Sequence, residues 1–141
     1  MYVEPDGTKV IHNVGFHVNK NEQGKGLGTR VLSKQVENAA AAGFGKIETF
    51  ADRDDQDGTV GYKVWPRLGY DAKLDNSFRS KHDTEARTLQ ELLRSKRGRQ
   101  LWDEHGYGMQ MYFDLSEGSQ SRKILDKYMR RKAAASDRDW E

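Results

Sequence analysis

Lys9-Val10-Ile11-His12-Asn13-Val14-Gly15-Phe16-His17-Val18-Asn19-Lys20-Asn21-Glu22-Gln23-Gly24-Lys25-Gly26-Leu27-Gly28 is the stretch on which the fold turns. Its first half, Lys9 to Val18, alternates so that Val10, His12, Val14, Phe16 and Val18 share one face, as a strand requires. Its second half is a glycine loop. From Leu27 the apolar spacing changes to Leu27, Val31, Leu32, Gln35, Val36 and Ala39, a helical stripe that Gly43 terminates as a C-terminal cap. Lys46-Ile47-Glu48-Thr49-Phe50-Ala51 returns to strand composition, so strand, loop, helix and strand follow in the order of a β-α-β crossover. The expected fold class is therefore α/β (α+β).

Outward from this unit, Tyr2-Val3-Glu4 and the turn Pro5-Asp6-Gly7-Thr8 predict a short strand in hairpin with the first. Thr59 to Leu68 is expected to form a short helix that Pro66 kinks or restarts, with Gly69 closing it. Tyr70 to Leu74 suits a further strand. Past Asp75 the sequence becomes charged and helix-compatible. Leu89, Leu92 and Leu93 predict a helix over Thr84 to Arg94, and Arg99 to His105 another turn. Met109 to Leu115 has strand composition, and Ser119 to Arg131 reads as an amphipathic helix carrying Ile124, Leu125 and Tyr128. The boundaries so drawn are 1–75 for the core, 76–132 for a helical insertion, last strand and helix of the same domain, and 133–141 for a flexible tail.

Composition bounds the chemistry. The 141 residues contain no cysteine, which removes disulfides, thiolate metal sites and a cysteine nucleophile. No apolar stretch approaches the ~20 residues that span a bilayer, and no targeting signal is visible, so no membrane partner is expected and the location is read as cytoplasmic. A net charge of +2 among 33% charged residues leaves the overall field near balance. Arg94, Lys96, Arg97 and Arg99, and again Arg130, Arg131 and Lys132, make local basic runs. Such runs suit nucleic acid phosphates, but the favoured reading is a solvated helix face.

Glycines two apart between a strand and a helix let a ligand reach the backbone, and the helix N-terminus favours an anion there. The same glycines also suit a ligand-free tight turn. Gly24, Gly26 and Gly28 fit neither a Walker loop, which needs Gly-Lys followed by Ser or Thr, nor the G-x-G-x-x-G dinucleotide fingerprint. They do match the Q/R-x-x-G-x-G/A pyrophosphate loop of GNAT N-acetyltransferases, as Gln23-Gly24-Lys25-Gly26-Leu27-Gly28. Downstream, Trp65-Pro66-Arg67-Leu68-Gly69-Tyr70 resembles the Y-x-x-x-G-F block of that superfamily. Over about Val10 to Leu74 the chain is similar to that superfamily, and Trp65-Pro66-Arg67-Leu68-Gly69-Tyr70-Asp71 together with Phe113-Asp114-Leu115 and Gly118-Ser119 looks similar to GNAT-like domains encoded in phage genomes.

The resemblance implies a mixed twisted sheet with helices on both faces, acetyl-CoA as cosubstrate and transfer of an acetyl group to a primary amine by direct attack. The acceptor is a small molecule or a protein. It implies further that Phe16, His17 and Val18 pair with pantetheine through their backbone and that Gln23, Gly24, Lys25, Gly26, Leu27, Gly28 and Thr29 bind the pyrophosphate. Trp65 stands where the family commonly has a tyrosine that protonates the leaving thiolate. Tyr62, one helical turn earlier, is the substitute acid, although a core-facing pair of Tyr62 and Trp65 is the alternative. Trp65 itself is expected to pack along pantetheine or adenine. His12 matches the site of a catalytic glutamate and is the candidate base; Glu48, a carboxylate in an expected central strand, is another.

The family's N-terminal strand and two helices have no counterpart before the matched region, and 76–105 is the natural substitute for that wall. The competing expectation is therefore a non-catalytic GNAT-like module that binds CoA or a protein partner, within a larger and phage-encoded assembly, in the host cytoplasm or the virion.

Overall fold

The computed structural model describes residues 1–13, 27–56 and 58–139. The chain order is β1 (Tyr2–Val3), β2 (Lys9–Asn13), α1 (Leu27–Ala41), β3 (Lys46–Ala51), α2 (Gly61–Arg67), α3 (Asn76–Lys81), α4 (Leu89–Leu92), α5 (Lys96–His105), β4 (Met109–Asp114) and α6 (Gln120–Asp139). The four strands form one mixed sheet in the order β1-β2-β3-β4. β1 runs antiparallel to β2, with Tyr2 opposite Val10. The hairpin turn is built as its sequence foretold: Gly7 adopts φ +90°, and the Thr8 amide donates to the Asp6 carboxylate at 2.9 Å.

β2 and β3 are parallel, with Val10 opposite Lys46 and Asn13 opposite Thr49. Parallel neighbours require a crossover, and α1 supplies it. Leu32, Val36 and Ala39 bury one stripe of α1. The helix ends where Gly43 takes φ +90° and the Phe44 amide donates to the Ala39 carbonyl at 3.0 Å. Val31, also in the expected stripe, faces outward.

β3 is central, because β4 pairs antiparallel along its whole length, from Lys46↔Asp114 to Ala51↔Met109. Beyond β4 the expected strand over Tyr70 to Leu74 is reduced to two single bridges, Asp71↔Tyr112 and Lys73↔Thr88. The Asp71 carboxylate explains the interruption. It accepts from the amides of Ala72 at 2.8 Å and Gln90 at 3.0 Å, so the Ala72 amide is withdrawn from any ladder.

Two helical expectations are corrected. Helix forms at Leu89–Leu92 and not from Thr84, because Thr88 caps it through Oγ1 to the Glu91 amide at 3.2 Å while Glu91 reaches back to the Arg87 amide at 2.9 Å. Thr88 is thus the N-cap, and the Glu91 carboxylate satisfies the amide of Arg87, the residue before Thr88. At the other end of the chain, α6 continues to Asp139, past Ala133 where a tail was expected. Three consecutive alanines with no breaker favour that continuation.

Pro66 lies in the last turn of α2 and does not restart it. Proline lacks the amide that would bond the Tyr62 carbonyl. Trp102 of α5 fills the deficit: its indole Nε1–H donates to that carbonyl at 2.7 Å. Gly69, at φ +113°, then lets α6 approach, since a Cβ there would stand 2.4 Å from the Ser121 carbonyl.

The core cluster joins Ile47, Ala51, Met111 and Phe113 of the sheet to Leu32, Val36, Tyr62, Trp65, Phe78, Leu89, Trp102 and Leu125 of the helices. These sheet residues share one face by register. Lys46, Glu48, Phe50, Gln110, Tyr112 and Asp114 lie on the other face and outside the cluster. Helices were expected on both faces; among the described residues, the helical members of the core gather on one. The mixed sheet and six helices agree with the broad class.

Candidate functional site: the open sheet face

Chemistry concentrates on the face that the core cluster leaves uncovered. Glu48 projects there from the middle of β3 with its side chain only 12% exposed. A carboxylate so placed needs partners, and three elements bring them. From β1, the Tyr2 hydroxyl donates to Oε2. From β4, the Gln110 amide, oriented with its nitrogen toward β3, donates to Oε1 at 3.1 Å and to the Thr49 carbonyl at 3.2 Å. From β2, His12 places Nδ1 3.6 Å from Oε1, with its side chain 36% exposed.

The hydrogen bond to Glu48 pushes the Tyr2 phenol well above the ordinary tyrosine range, with burial adding to it. Tyr2 therefore keeps its proton and donates it to the carboxylate. Glu48 lies on the Nδ1 side of His12, so Nε2 is the ring position farther from the carboxylate. The result is a half-exposed imidazole beside a carboxylate that is itself held by Tyr2 and Gln110.

The same face continues into a groove of about 700 Å³ lined by Lys46, Gln110, Tyr112, Asp114, Asp71 and Lys73, among others. Lys46 is anchored by Glu4 at 2.8 Å and stands 5.8 Å from the Tyr112 ring. Its pKa is raised, chiefly by the hydrogen bond to Glu4. Burial raises the Asp71 carboxyl in spite of the amide bonds it accepts.

A second concavity, also about 700 Å³, runs beside α1, with Arg30 and Lys34 among Ile11, Val31, Ala39 and Phe44. It lies next to the helix whose first turn contains Leu27, Gly28 and Thr29. The first amides of an α-helix have no partner within it, and this first turn holds no acidic side chain to offset them.

The remaining expected residues fall differently. Phe16, His17, Val18, Gln23, Gly24, Lys25 and Gly26 lie outside the described residues. Tyr62 and Trp65 belong to the core on the opposite face from His12, each 2% exposed. The Tyr62 hydroxyl donates to the Asp103 carbonyl at 2.9 Å, its ring lies under the Arg53 guanidinium at 4.7 Å, and burial raises its pKa. A phenol tied in this way is held by the core. Trp65 packs edge-on against Tyr70, with ring centroids 5.2 Å apart, and offers no surface to pantetheine or adenine.

The structure thus joins His12 to Glu48 and separates both from Tyr62. Tyr2 and Gln110 were missed, since each reaches Glu48 only through strand pairing. The one available signal was a carboxylate alternating into the buried middle strand of the crossover. The described residues contain no His/Cys/Asp/Glu cluster able to hold a metal ion. None of their helices is long and apolar enough to cross a membrane. The chain matches no family model, no curated protein and no solved structure.

Proposed function

We propose that the chain is an acyl-CoA-dependent N-acetyltransferase of GNAT-like architecture, acting on a primary amine through the His12–Glu48 pair. The observation that supports this reading is the parallel pairing of β2 with β3 through the 15-residue helix α1, whose first turn contains Leu27, Gly28 and Thr29 of the glycine motif. Anionic ligands of crossover folds lie outside the carboxyl ends of parallel strands, against such a helix start. Amides from Gln23 to Thr29 would hold the pyrophosphate, and Arg30 and Lys34 beside α1 add cationic charge one and two turns along the helix.

In the proposed reaction the neutral amine nitrogen attacks the thioester carbonyl, the new C–N bond forms and the C–S bond breaks. His12 Nε2 accepts the proton lost by the amine, directly or through water, and Glu48 stabilises the resulting imidazolium. The sulfur leaves as thiolate and takes a proton from solvent, because Tyr62 is committed elsewhere. Positioned proton transfer of this kind contributes about 10²–10⁴-fold to rate.

A second reading is a non-catalytic module that retains CoA binding, and the burial of Trp65 and Tyr62 favours it. Thermal melting with acetyl-CoA separates these readings from all others: at a hundredfold excess over Kd, a bound ligand adds about 2.7 kcal/mol. Absence of a shift rejects both. Where a shift is found, release of CoA with a panel of amines decides between them. In an active enzyme, His12→Ala lowers kcat by about 10²-fold or more, whereas Tyr62→Phe leaves it unchanged.

A further inference from the structure

The charge of this molecule is concentrated in α6. Between Gln120 and Lys132 the helix carries Arg122, Lys123, Lys127, Arg130, Arg131 and Lys132 against the single carboxylate Asp126, a net +5. The whole chain is only +2, so the remainder is net acidic. The helix also has two distinct sides. Ser121 and Leu125 are buried, and Tyr128 and Met129 pack against the core. Lys123, Asp126, Lys127, Arg130 and Arg131 form the exposed side. Arg122 is held to the Leu115 carbonyl at 3.2 Å, and Lys132 lies 5.6 Å from the Tyr128 ring. Lys123, Lys127, Arg130 and Arg131 form no ion pair among the described residues.

From this placement we infer that the outer face of α6 is a docking surface for the phosphate backbone of duplex nucleic acid, independent of the sheet-face site and of acyl transfer. Three observations choose this partner. A lipid surface needs an apolar helix face, and that of α6 is already spent on the core. A protein interface is anchored by aromatic or apolar side chains and is depleted in lysine, whereas this face is charged throughout. Base stacking on a single strand needs exposed rings, and the face has none. What remains is a row of cations from Lys123 to Arg131, about 12 Å long at 1.5 Å rise per residue. Along duplex DNA the phosphates of one strand recur every ~3.4 Å of axis, so such a row faces several of them.

Without base-reading groups, the interaction is sequence-independent and set by counterion release. Four phosphate contacts give a slope of about −3.6 in log affinity against log salt, a loss of about 150-fold between 50 and 200 mM. Fluorescence anisotropy with a short labelled DNA duplex and the full chain reads this slope directly. The variant K127Q/R130Q/R131Q is expected to lower the slope to about −0.9, and its three sites are exposed, so an unchanged melting curve accompanies it. The matching variant in α5, K96Q/R97Q/R99Q, is expected to keep the wild-type slope. No binding at 50 mM salt, an unchanged slope in the α6 variant, or a loss confined to the α5 variant overturns the assignment. Polyglutamate competing as well as DNA at equal charge does the same, by giving the face to an acidic protein.

Discussion

The two faces of the sheet are built from the same strands and do opposite things. On the helix side, Ile47, Ala51, Met111 and Phe113 are buried in one cluster with Tyr62, Trp65, Tyr70 and Trp102. On the other side, one residue along each strand, Glu48, His12, Gln110 and Tyr112 stand in a polar array with a groove beside them. The difference teaches that a tyrosine or histidine is not a candidate catalyst by type. Tyr62 and His12 were both candidates by residue type; register and packing place one in the core and the other in a half-open cluster.

The comparison breaks first at Trp102. Its indole is buried, it meets the Phe78 ring edge-on with centroids 5.7 Å apart, and it satisfies the Tyr62 carbonyl left free by Pro66. Trp102→Ala is expected to cost about 3–5 kcal/mol in urea unfolding. A loss near zero would mean that the aromatic layer is not what closes this face.

Gly98→Ala tests whether tertiary contact overrides local propensity. Alanine favours a helix over glycine by about 1 kcal/mol, but a Cβ at Gly98 would stand 1.8 Å from the Leu92 carbonyl. The expected outcome is destabilisation of about 1–3 kcal/mol, and a rise in Tm would refute the packing between α4 and α5.

At the margin of the helical layer, Asp75 caps α3 by accepting from the Phe78 amide at 2.7 Å. Asp75→Ala is expected to cost about 1 kcal/mol. That hydrogen bond, foremost, holds the carboxyl below its ordinary 3.8. The stabilisation is thus complete above pH 3.8 and disappears as pH falls through the folded-state value. The difference in stability between wild type and variant should narrow over that acid range and nowhere else.

The smallest effect belongs to the open face. His12→Ala removes a half-exposed side chain, so stability should stay within about 0.5 kcal/mol. A larger loss would make the His12–Glu48 contact structural and sharpen the contrast against the proposed chemistry.

Much of the architecture was legible in residues 2–51. The Pro5–Thr8 turn, the apolar stripe of α1 and Gly43 at its end are local signals, and the described part of each element formed where its own spacing placed it. Legibility fell beyond Asp71, where side-chain-to-backbone bonds compete with the ladder and with helix propensity. Asp71 stopped a strand by taking the Ala72 amide. Thr88 and Glu91 started a helix at Leu89 and not at Thr84, although the capping residues were present to be read. The site was half legible: His12 and Glu48 stood out as polar groups in apolar strands, but Tyr2 lies 46 positions from Glu48 and meets it only because β1, β2 and β3 are adjacent.

By itself the sequence determined the strand-loop-helix-strand order of the first third, the glycine spacing at the start of α1 and the basic composition of α6. These depend on periodicity, backbone freedom and charge, which are properties of neighbours along the chain. Only the tertiary structure decided which face each strand presents to solvent, that the Tyr62 hydroxyl is tied to Asp103, and that Glu48 gathers Tyr2, His12 and Gln110. Those outcomes rest on register and on packing between distant segments, where a shift of one residue exchanges the buried side for the exposed one.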